Sequence, residues 1–419
     1  MKQLKKLLDG VIEDSNIWLN DRKRTHAFLL SPDVYHITKM QHDELNKLGS
    51  ALHDCLLGLS HMATIAYDTD LNYSGAWSLV RKVFSTGVLK VYRDFQGMGV
   101  KDIPKLLKVD LMIDQDGNYK IAEIDGHNKH GIGYSTLGLR FREVLHSDKK
   151  SLPGVVRLLA EEIKKQGFNK IKILHSNRER FYIPELQIVK QEFIKFNIDC
   201  FIISEMELSS SHLQDGLFLD LPFLYERAFL YSEIIDSYKN GKIKFIIPLK
   251  PFFGSKGVLA LLKNSTKDFY LESILQSFIK ASSLAFVRKY IPETFLIGKE
   301  AMKIISVEKI ISGKRYVLKE AISSGMKGVY FSDEINFKET LEIACNAKMN
   351  WVLQEEVLNQ PQTFSFFDNG ASLCSAKDWF MRITTHYVNR NLADIIITAR
   401  RDRAVHGAKD CLQIGTVID

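Results

Sequence analysis

The sequence predicts a mixed α/β fold, and three patterns indicate it. Apolar residues recur at intervals of three and four from Gln41 to Tyr67, which predicts an amphipathic helix packed on a core. Two alternating runs flank Asp116-Gly117, a dipeptide typical of β-hairpin turns. A strand, a helix and a second strand follow one another between residues 170 and 204, as in a βαβ unit.

The elements before the βαβ unit are predicted to be mainly helical, apart from the hairpin. Residues 1 to about 100 form this helical region, which includes the helix that begins near Gln41. His53 and His61 lie two turns apart in it, and we interpret both as surface or core side chains because no third metal ligand is close in sequence. After the hairpin, a helix over 151–166 carries Pro153 in its first turn, where proline is tolerated.

The βαβ unit resembles a small Rossmann-like domain. It lacks the G-x-G-x-x-G pattern, so a dinucleotide is not implied. Its predicted strands cover 170–175 and 199–204, and its helix covers 184–196. The elements predicted beyond it are strands over 242–248, 315–321 and 351–357, a helix over 255–262, and a strand-rich C-terminal end.

The composition is that of an ordinary soluble globular protein, with 45% hydrophobic and 26% charged residues. We expect a cytoplasmic location, because no signal-peptide pattern follows the N-terminus and no apolar run reaches the roughly 18 to 20 residues that a membrane helix needs. The five cysteines are widely spaced and odd in number, so we expect free thiols.

The formal charge of +7 is spread along the sequence, which favours a solvated surface over a nucleic-acid interface. We therefore expect no nucleic acid and no membrane among the partners. An anionic ligand such as a nucleotide is compatible with this charge. The sequence does not determine the oligomeric state, and a homodimer is compatible with it.

The predicted hairpin places acidic residues opposite each other. If Asp116-Gly117 form a two-residue turn, Asp110 lies opposite Glu123 and Lys108 opposite Asp125, all on one face. Opposed carboxylates repel each other unless a cation lies between them, so Asp110 and Glu123 are candidate ligands of a hard divalent ion such as Mg²⁺. The alternative is a solvated charged face with a variable register. The residues predicted to point to the other face are Val109, Leu111, Ala122 and Ile124.

Two lysines are candidate phosphate ligands. Lys319 ends a strand that leads into a loop of small residues, whose members include Ser323, Ser324, Gly325, Lys327 and Gly328. Glycines let backbone amides cover phosphates, and a lysine on the adjoining strand neutralises their charge. Lys256 follows a Gly-Ser pair at the start of an apolar helix, where the helix dipole attracts anions. The spacing fails the Walker pattern, and an ordinary hairpin loop and an exposed helix start are the alternatives.

Two later segments carry further candidates. The alternating run that contains Gln354 and Glu355 offers backbone groups and an acid to an adenine and its ribose, or else is an edge strand. Two alternating runs joined by an Asn-Arg-Asn turn predict a C-terminal hairpin. In it Arg382 and Arg400 can meet a phosphate or carboxylate with two hydrogen bonds each, and surface arginines are the alternative.

Taken in order, these segments resemble the circularly permuted ATP-grasp family, in particular the ATP-grasp domain of glutathionylspermidine synthase. That family has an R-x-D strand, a turn, an E-x-N strand, a helix that begins with a lysine, a lysine-ended strand with a glycine loop, a Q-e strand and a late arginine. The counterparts here are Lys108-Val-Asp110, Asp116-Gly117, Glu123-Ile-Asp125, Ser255-Lys256, Val317-Leu-Lys319 with Gly325 and Gly328, Val352-Leu-Gln354-Glu355, and Met381-Arg382. The match runs from about residue 90 to the end.

The sequence departs from the family pattern at two positions of the hairpin and in one loop. Lys108 stands where the family has arginine, and it keeps the charge without the bidentate fork. Asp125 stands where the family has a metal-binding asparagine, and it remains an oxygen ligand. The segment 126–136 differs from the DTPT of the closest relatives, from which we infer a different substrate.

The resemblance implies a circularly permuted ATP-grasp fold in four regions. These are a helical N-terminal region over 1–100, a first part with the metal-binding hairpin over 101–160, an inserted Rossmann-like α/β subdomain over 161–250, and the remainder with the nucleotide-binding loops over 251–419.

The activity that the resemblance implies is that of an ADP-forming ligase with ATP and Mg²⁺ as cofactors. It joins a small-molecule or peptide carboxylate to an amine through an acyl phosphate. In that interpretation Asp110, Glu123 and Asp125 hold the metal, and Lys256, Lys319 and the loop over 323–328 bind the ATP phosphates. Gln354 and Glu355 lie at the nucleotide, while Arg382 and Lys108 act on the transferred group. A nucleotide-binding scaffold without turnover and a phosphotransferase acting on a hydroxyl are the alternatives.

Overall fold

Over the described residues, three β-sheets and the helices packed on them give a mixed α/β fold, which confirms the predicted fold class at that level. The computed structural model describes residues 2–15, 28–67, 75–86, 88, 92–146, 148, 150–264, 268–298, 314–323, 326, 328–347, 351–368, 372–407 and 410–419.

The strands and helices are numbered in chain order over these residues. The strands are β1 (Tyr35–Ile37), β2 (Leu106–Ile113), β3 (Tyr119–Asp125), β4 (Lys170–His175), β5 (Asp199–Ser204), β6 (Gly216–Phe218), β7 (Ile243–Phe245), β8 (Thr294–Ile297), β9 (Tyr316–Glu320), β10 (Val329–Phe331), β11 (Trp351–Glu355), β12 (Gln362–Phe367), β13 (Leu373–Val388), β14 (Asn391–Arg400) and β15 (Leu412–Ile418). The α-helices are α1 (Lys2–Ser15), α2 (Lys39–Ala66), α3 (Ala76–Ser85), α4 (Arg93–Gln96), α5 (Ile132–Leu145), α6 (Val155–Lys165), α7 (Ile183–Lys195), α8 (Tyr231–Lys239), α9 (Lys256–Asn264), α10 (Phe269–Phe278), α11 (Ala281–Arg288) and α12 (Phe337–Asn346).

The largest sheet has the order β1-β15-β14-β13-β2-β3, with β12 paired to β13. Its pairs are antiparallel except for β1, which runs parallel to β15. One face of this sheet is apolar and packs on α2, α3, α9 and α11 in the main core. The other face carries polar side chains on β2, β3 and β13. The long helix α2 and the C-terminal hairpin of β13 and β14 were both predicted.

The hairpin of β2 and β3 pairs Lys108 with Asp125 and Asp110 with Glu123, which confirms the predicted pairing. The predicted two-residue turn is wrong. The strands close between Asp114 and Asn118, whose N–H and C=O groups lie 3.0 Å apart, so three residues form the loop.

A β-bulge reconciles this turn with the predicted pairing. The three-residue loop shifts the pairing by one position near the tip, where Leu111 lies opposite Ile121. Ala122 is the extra residue on β3, and beyond it the register returns to the predicted one. Ile121 is fully buried and occupies the core position that was predicted for Ala122. Gly117 has φ of 83°, the left-handed conformation that this loop type requires.

The two smaller sheets flank the polar face. β10-β9-β11-β8 is antiparallel and packs on α12. β5-β4-β6-β7 is parallel, and α7 connects β4 to β5 as the predicted βαβ unit requires. The division into four regions stays a prediction.

Several local predictions differ from the structure in detail. The helix predicted over 151–166 begins only at Val155, so Pro153 precedes it. The strand predicted over 242–248 is reduced to β7, and the short strand β1 was not predicted. All five cysteines are free, as expected. Within the described residues, no helix combines the length and apolar character needed to cross a membrane.

Candidate functional site

Each of the three acidic residues predicted to bind the metal faces a basic side chain of the chain itself. On the polar face, Lys108 Nζ lies 2.7 Å from Asp125 Oδ2, and His127 Nδ1 lies 2.8 Å from Oδ1. Asn128 also donates to Oδ2 at 2.8 Å. Although burial favours its neutral form, Lys108 and His127 hold the pKa of Asp125 well below its usual range. Both oxygens of Asp125 are therefore engaged by neighbouring side chains.

Asp110 is held from the adjacent strand β13. Thr384 lies directly opposite Asp110 in the register, and its hydroxyl donates to Oδ1 at 2.7 Å. Arg382 Nη1 lies 3.3 Å from Oδ2. The side chain of Arg382 is 24% exposed, so the guanidinium is accessible from the polar face. Arg400 lies opposite Phe380 and binds Asp410 instead, although Arg382 and Arg400 point to the same face.

Glu123 is paired with the first residue of α9. Lys256 Nζ lies 3.1 Å from Glu123 Oε1 and also donates to the carbonyl of Ser323 at 3.2 Å. Lys256 is nearly fully buried, whereas the side chain of Glu123 is 32% exposed. The N-terminus of α9, the hairpin and the start of the β9–β10 loop therefore meet at one place.

The carboxylates fit a magnesium ion only as a pair. Mg²⁺ is usually bound through one or two carboxylates together with phosphate oxygens. Asp110 and Glu123, which lie opposite each other across the hairpin, suit that arrangement. Within the described residues, no three acidic, histidine or cysteine side chains come together to hold a metal. Asp125 is bound to Lys108 and His127, so a cage of all three predicted ligands is not formed.

Lys319 and Gln354 lie on one face of the second sheet and contact the edge of the first. Lys319 Nζ donates to Gln354 Oε1 at 2.6 Å and to the carbonyl of Ala122 at 3.2 Å. The Gln354 amide donates to Thr294 Oγ1 at 3.2 Å and to the carbonyl of Ile121 at 3.4 Å. Burial, and next the positive charge of Lys256, lower the pKa of Lys319 to about 8. Lys319 and Lys256, distant in sequence, are therefore electrostatic neighbours.

The loop after β9 is described in part. Gly328 has φ of 67°, and a Cβ there would lie 2.7 Å from the side chain of Glu320, so glycine is required. Ser323 begins the loop beside Lys256. Ser324, Gly325 and Lys327 lie outside the described residues. Glu355 points away from Lys319 and pairs with Lys314 at 2.8 Å, so the structure does not bring it to the two lysines.

A second polar cluster follows β3 and was not assigned from the sequence. Lys129 is fully buried, and its Nζ lies 3.3 Å from both Glu179 and Asp220. His130 Nε2 lies 3.2 Å from Glu179, and its ring stacks on Tyr182 with the centroids 3.8 Å apart. This loop is the segment over 126–136 that departs from the family pattern. The signal was the pair of basic residues in a glycine-rich loop, but their acidic partners come from distant segments.

His386 was also missed. It lies on β13 opposite Lys108, two positions beyond Thr384, and is 1% exposed. Neither ring nitrogen has a hydrogen-bond partner among the described residues. Burial, and next the charge of Lys108, lower the pKa of His386 to about 3, so its ring is neutral near pH 7. The alternation Arg382-x-Thr384-x-His386 on one strand was the signal that could have found it.

Comparisons with known proteins support a similarity of overall fold and show no family. No family model and no curated protein matches the sequence. A glutathione synthetase-like effector from Globodera pallida, solved in the apo form, superposes with a TM-score of 0.54 at 12% identity, over 93% of this chain and 90% of that one. A putative gamma-glutamylcysteine synthetase from Methylobacillus flagellatus KT aligns over 88% of this chain and 85% of that one at 10% identity, with a TM-score of 0.35. The first likeness is one of overall fold, and the second is too low to support an argument.

Proposed function

We propose that this protein is an ATP-dependent, ADP-forming ligase that joins a carboxylate to an amine through an acyl phosphate, with a circularly permuted ATP-grasp fold. The observation that carries the proposal is the pair Lys319 and Lys256. The ammonium group of Lys319 is bound to the neutral oxygens of Gln354 and Ala122, next to a second buried lysine. Two neighbouring ammonium groups in a poorly solvated place favour an anionic ligand such as a nucleotide phosphate.

The groups around the two lysines support a nucleoside triphosphate as the anionic ligand. Lys256 is the first residue of α9, so the positive end of a helix dipole adds to its charge. Ser323, at the start of the glycine-containing loop, binds the same lysine. Asp110 and Glu123 lie beside the lysines and suit a magnesium ion shared with the phosphates. Mg²⁺ bound there would neutralise charge on the phosphate oxygens.

Arg382 is proposed to act on the transferred phosphoryl group. It lies on the polar face beside Asp110 and remains partly exposed. A guanidinium can bind a carboxylate and a phosphate with paired hydrogen bonds, so it can orient a substrate carboxylate towards the γ-phosphate. It also stabilises negative charge that develops as the phosphoryl group moves. The roles of Gln354 and Glu355 at the adenine and ribose, and of Lys108 at the phosphoryl group, stay predictions.

The test is a trapping assay for the activated carboxylate. The protein is mixed with ATP, Mg²⁺, hydroxylamine and a panel of amino acids and small peptides. A ligase releases ADP and forms an acyl hydroxamate, because hydroxylamine attacks the acyl phosphate in place of the natural amine. A phosphotransferase releases ADP and yields a phosphorylated alcohol with no hydroxamate. An inactive scaffold gives neither product, and either of these two results rejects the ligase.

A further inference from the structure

Two buried acceptor atoms face each other beside the loop that follows β3. Glu185, on α7, is 2% exposed, and its Oε1 accepts N–H groups from Gly131 at 2.5 Å and Gly133 at 3.2 Å. Its other oxygen, Oε2, has no hydrogen-bond partner among the described residues. The same is true of His130 Nδ1, which lies 4.0 Å from Glu185 Oε2.

A second buried glutamate shows that this arrangement is not general in the protein. Glu205 is fully buried, but both of its oxygens are bound by backbone N–H groups. The donors are those of Asn177, Tyr225 and Glu226. A buried carboxylate oxygen without a donor is costly, so Glu185 Oε2 calls for a donor from outside the chain.

The protonation state of His130 shows that a ligand at this place must donate hydrogen bonds to both atoms, His130 Nδ1 and Glu185 Oε2. Glu179 accepts from Nε2 of His130, which places the ring proton on Nε2 and leaves Nδ1 as an acceptor. Burial lowers the pKa of His130 to about 4, so the ring is neutral near pH 7. With Glu185 ionised, Nδ1 and Glu185 Oε2 both accept, and at 4.0 Å they are too far apart for a hydrogen bond in either protonation state. A nitrogen with two or more N–H groups can bridge atoms 4.0 Å apart.

The local charge indicates which donor fits. Glu179 and Asp220 share the buried ammonium of Lys129. Glu185 is influenced by Lys108 and next by Lys129, and Lys108 is itself paired with Asp125. Asp220 Oδ1 is a further buried oxygen without a partner among the described residues. A positively charged donor is therefore favoured over a neutral one, and a ligand with its own carboxylate close to the donor is disfavoured.

Gly131 connects this place to the polar face of the large sheet. Its N–H binds Glu185, and a Cβ on it would lie 3.4 Å from both His386 Nε2 and Lys108 Cδ. Lys108 is paired with Asp125, two positions along β3 from Glu123. The acceptor pair thus lies one loop residue away from the proposed phosphoryl-transfer site.

We propose that Glu185 Oε2 and His130 Nδ1 bind the ammonium group of the amine substrate, and that Glu185 accepts its proton before attack. The inference rests on the proposed ligase function and specifies its second substrate as a primary amine without a carboxylate on the same carbon. Glu185, His130 and Asp220 are the residues that recognise it.

The proton and electron balance of the step is complete. The ammonium R–NH₃⁺ gives one proton to the Glu185 carboxylate and becomes R–NH₂. Its nitrogen lone pair attacks the carbonyl carbon of the acyl phosphate, and a C–N bond forms. The C–O bond to the phosphate breaks as the tetrahedral adduct collapses, and the second amine proton leaves with the inorganic phosphate. Burial raises the pKa of Glu185 to about 7, which suits a group that must take up and then release a proton near neutral pH.

The test is thermal unfolding of the full chain with three small probes. Ethylammonium chloride should raise the unfolding midpoint, because it supplies a charged N–H donor. Tetramethylammonium chloride has the same charge but no N–H group, and glycine carries a carboxylate, so neither should produce the shift. Glu185→Gln and Asp220→Asn should each lose the ethylammonium shift. Glu192→Gln, the same change on the same helix at a residue paired with Arg140 and Lys195, should retain it.

A turnover experiment separates this inference from the ligase proposal. Glu192→Gln, outside the proposed site, should leave hydroxamate formation nearly unchanged. In Glu185→Gln, amide formation with ethylamine should fall by about 10²-fold or more, the effect of losing a general base. If ethylammonium stabilises the wild type but not Glu185→Gln, and no hydroxamate forms, the amine site is supported and the ligase is rejected. Hydroxamate formation without an ethylammonium shift, or with an equal shift in Glu185→Gln, would overturn the amine site and leave the ligase standing.

Discussion

Lys108 Nζ and Asp125 Oδ2 lie 2.7 Å apart and face each other across the β2–β3 hairpin. These are the two hairpin positions at which the sequence departs from the ATP-grasp pattern. Although burial opposes it, the carboxylates of Asp125 and Asp110 raise the pKa of Lys108, so both members of the pair are charged. A half-buried lysine opposite asparagine would lack this partner. The two departures therefore compensate each other, because the carboxylate of Asp125 supplies the charge partner of Lys108.

The pair can be tested by a double-mutant cycle. Lys108→Met should lower the free energy of unfolding by about 3–5 kcal/mol, because it leaves the buried Asp125 carboxylate without its cation. Adding Asp125→Asn should recover most of that loss. Urea unfolding measures both, with Lys314→Met as a control: it breaks the exposed pair with Glu355 and should cost less than about 1 kcal/mol. Additive effects of the two hairpin changes would contradict the pairing.

The lysine pair should determine nucleotide affinity. Lys319→Ala and Lys256→Ala should each weaken ATP binding by about 1–3 kcal/mol, the range for a lost hydrogen bond to a charged group. Gln354→Glu should also weaken it, because a carboxylate next to Lys319 competes with the phosphate. Isothermal titration calorimetry gives the affinities, and Lys338→Ala, at an exposed lysine on α12, is the surface control. Wild-type affinity in both lysine variants would reject the phosphate site.

Arg382 should matter more for turnover than for binding. Arg382→Ala should lower hydroxamate formation by about 10²–10³-fold, because electrostatic stabilisation acts mainly in the transition state. The dissociation constant of ATP should change little. Arg382→Lys should give an intermediate rate, since lysine keeps the charge without the paired hydrogen bonds. Equal losses in affinity and rate would instead assign Arg382 to ATP binding.

Glu185 should contribute a pH dependence of stability with a known sign. Burial raises its pKa from 4.5 to about 7, so between these values the folded state holds a proton that the unfolded state has lost. Stability from this group is therefore complete below pH 4.5 and falls as pH rises to 7, by at most about 1.4 kcal/mol per pH unit. Glu185→Gln should remove that decline, as measured by chemical unfolding across the window.

Glu179 provides the opposite sign as an internal comparison. Against the effect of burial, His130 and Lys129 lower its pKa from 4.5 to about 2, so its contribution is present above pH 4.5 and is lost as pH falls. The effect of Glu179→Gln should therefore change only below pH 4.5.

A difference between wild type and Glu185→Gln that does not vary between pH 5 and about 7 would show that Glu185 has an ordinary pKa.

The parts of the fold with regular patterns could be predicted from the sequence. β4 and β5 have the predicted bounds, because each is a short run of β-forming residues bounded by turn residues. The hairpin pairing was also predicted, but the loop and the bulge at Ala122 were not. The three-residue loop and the bulge shift the strand register by one residue in opposite directions, so the predicted pairing is kept. No glycine marks the bulge in the sequence. β1 has three residues, too few to show a period.

The candidate site could be predicted residue by residue but not as a set of partners. Lys256, Lys319 and Arg382 were chosen from local patterns, and the structure brings them to one region. Which carboxylate pairs with which cation depends on how three sheets pack, and local spacing does not contain that information. Glu185 carried no local signal, since an acidic residue in the first turn of a helix is common.

The bulge on β3 has a consequence for self-association. β3 is the outer strand of its sheet, and an unpaired strand edge is a template for another chain. The bulge lets the successive carbonyls of Ile121 and Ala122 both bind side chains of the second sheet, those of Gln354 and Lys319. Side chains thus cap an edge that a β-strand from a second molecule could otherwise join. The two residues proposed to serve the nucleotide therefore also occupy acceptor groups through which a second chain would pair with β3.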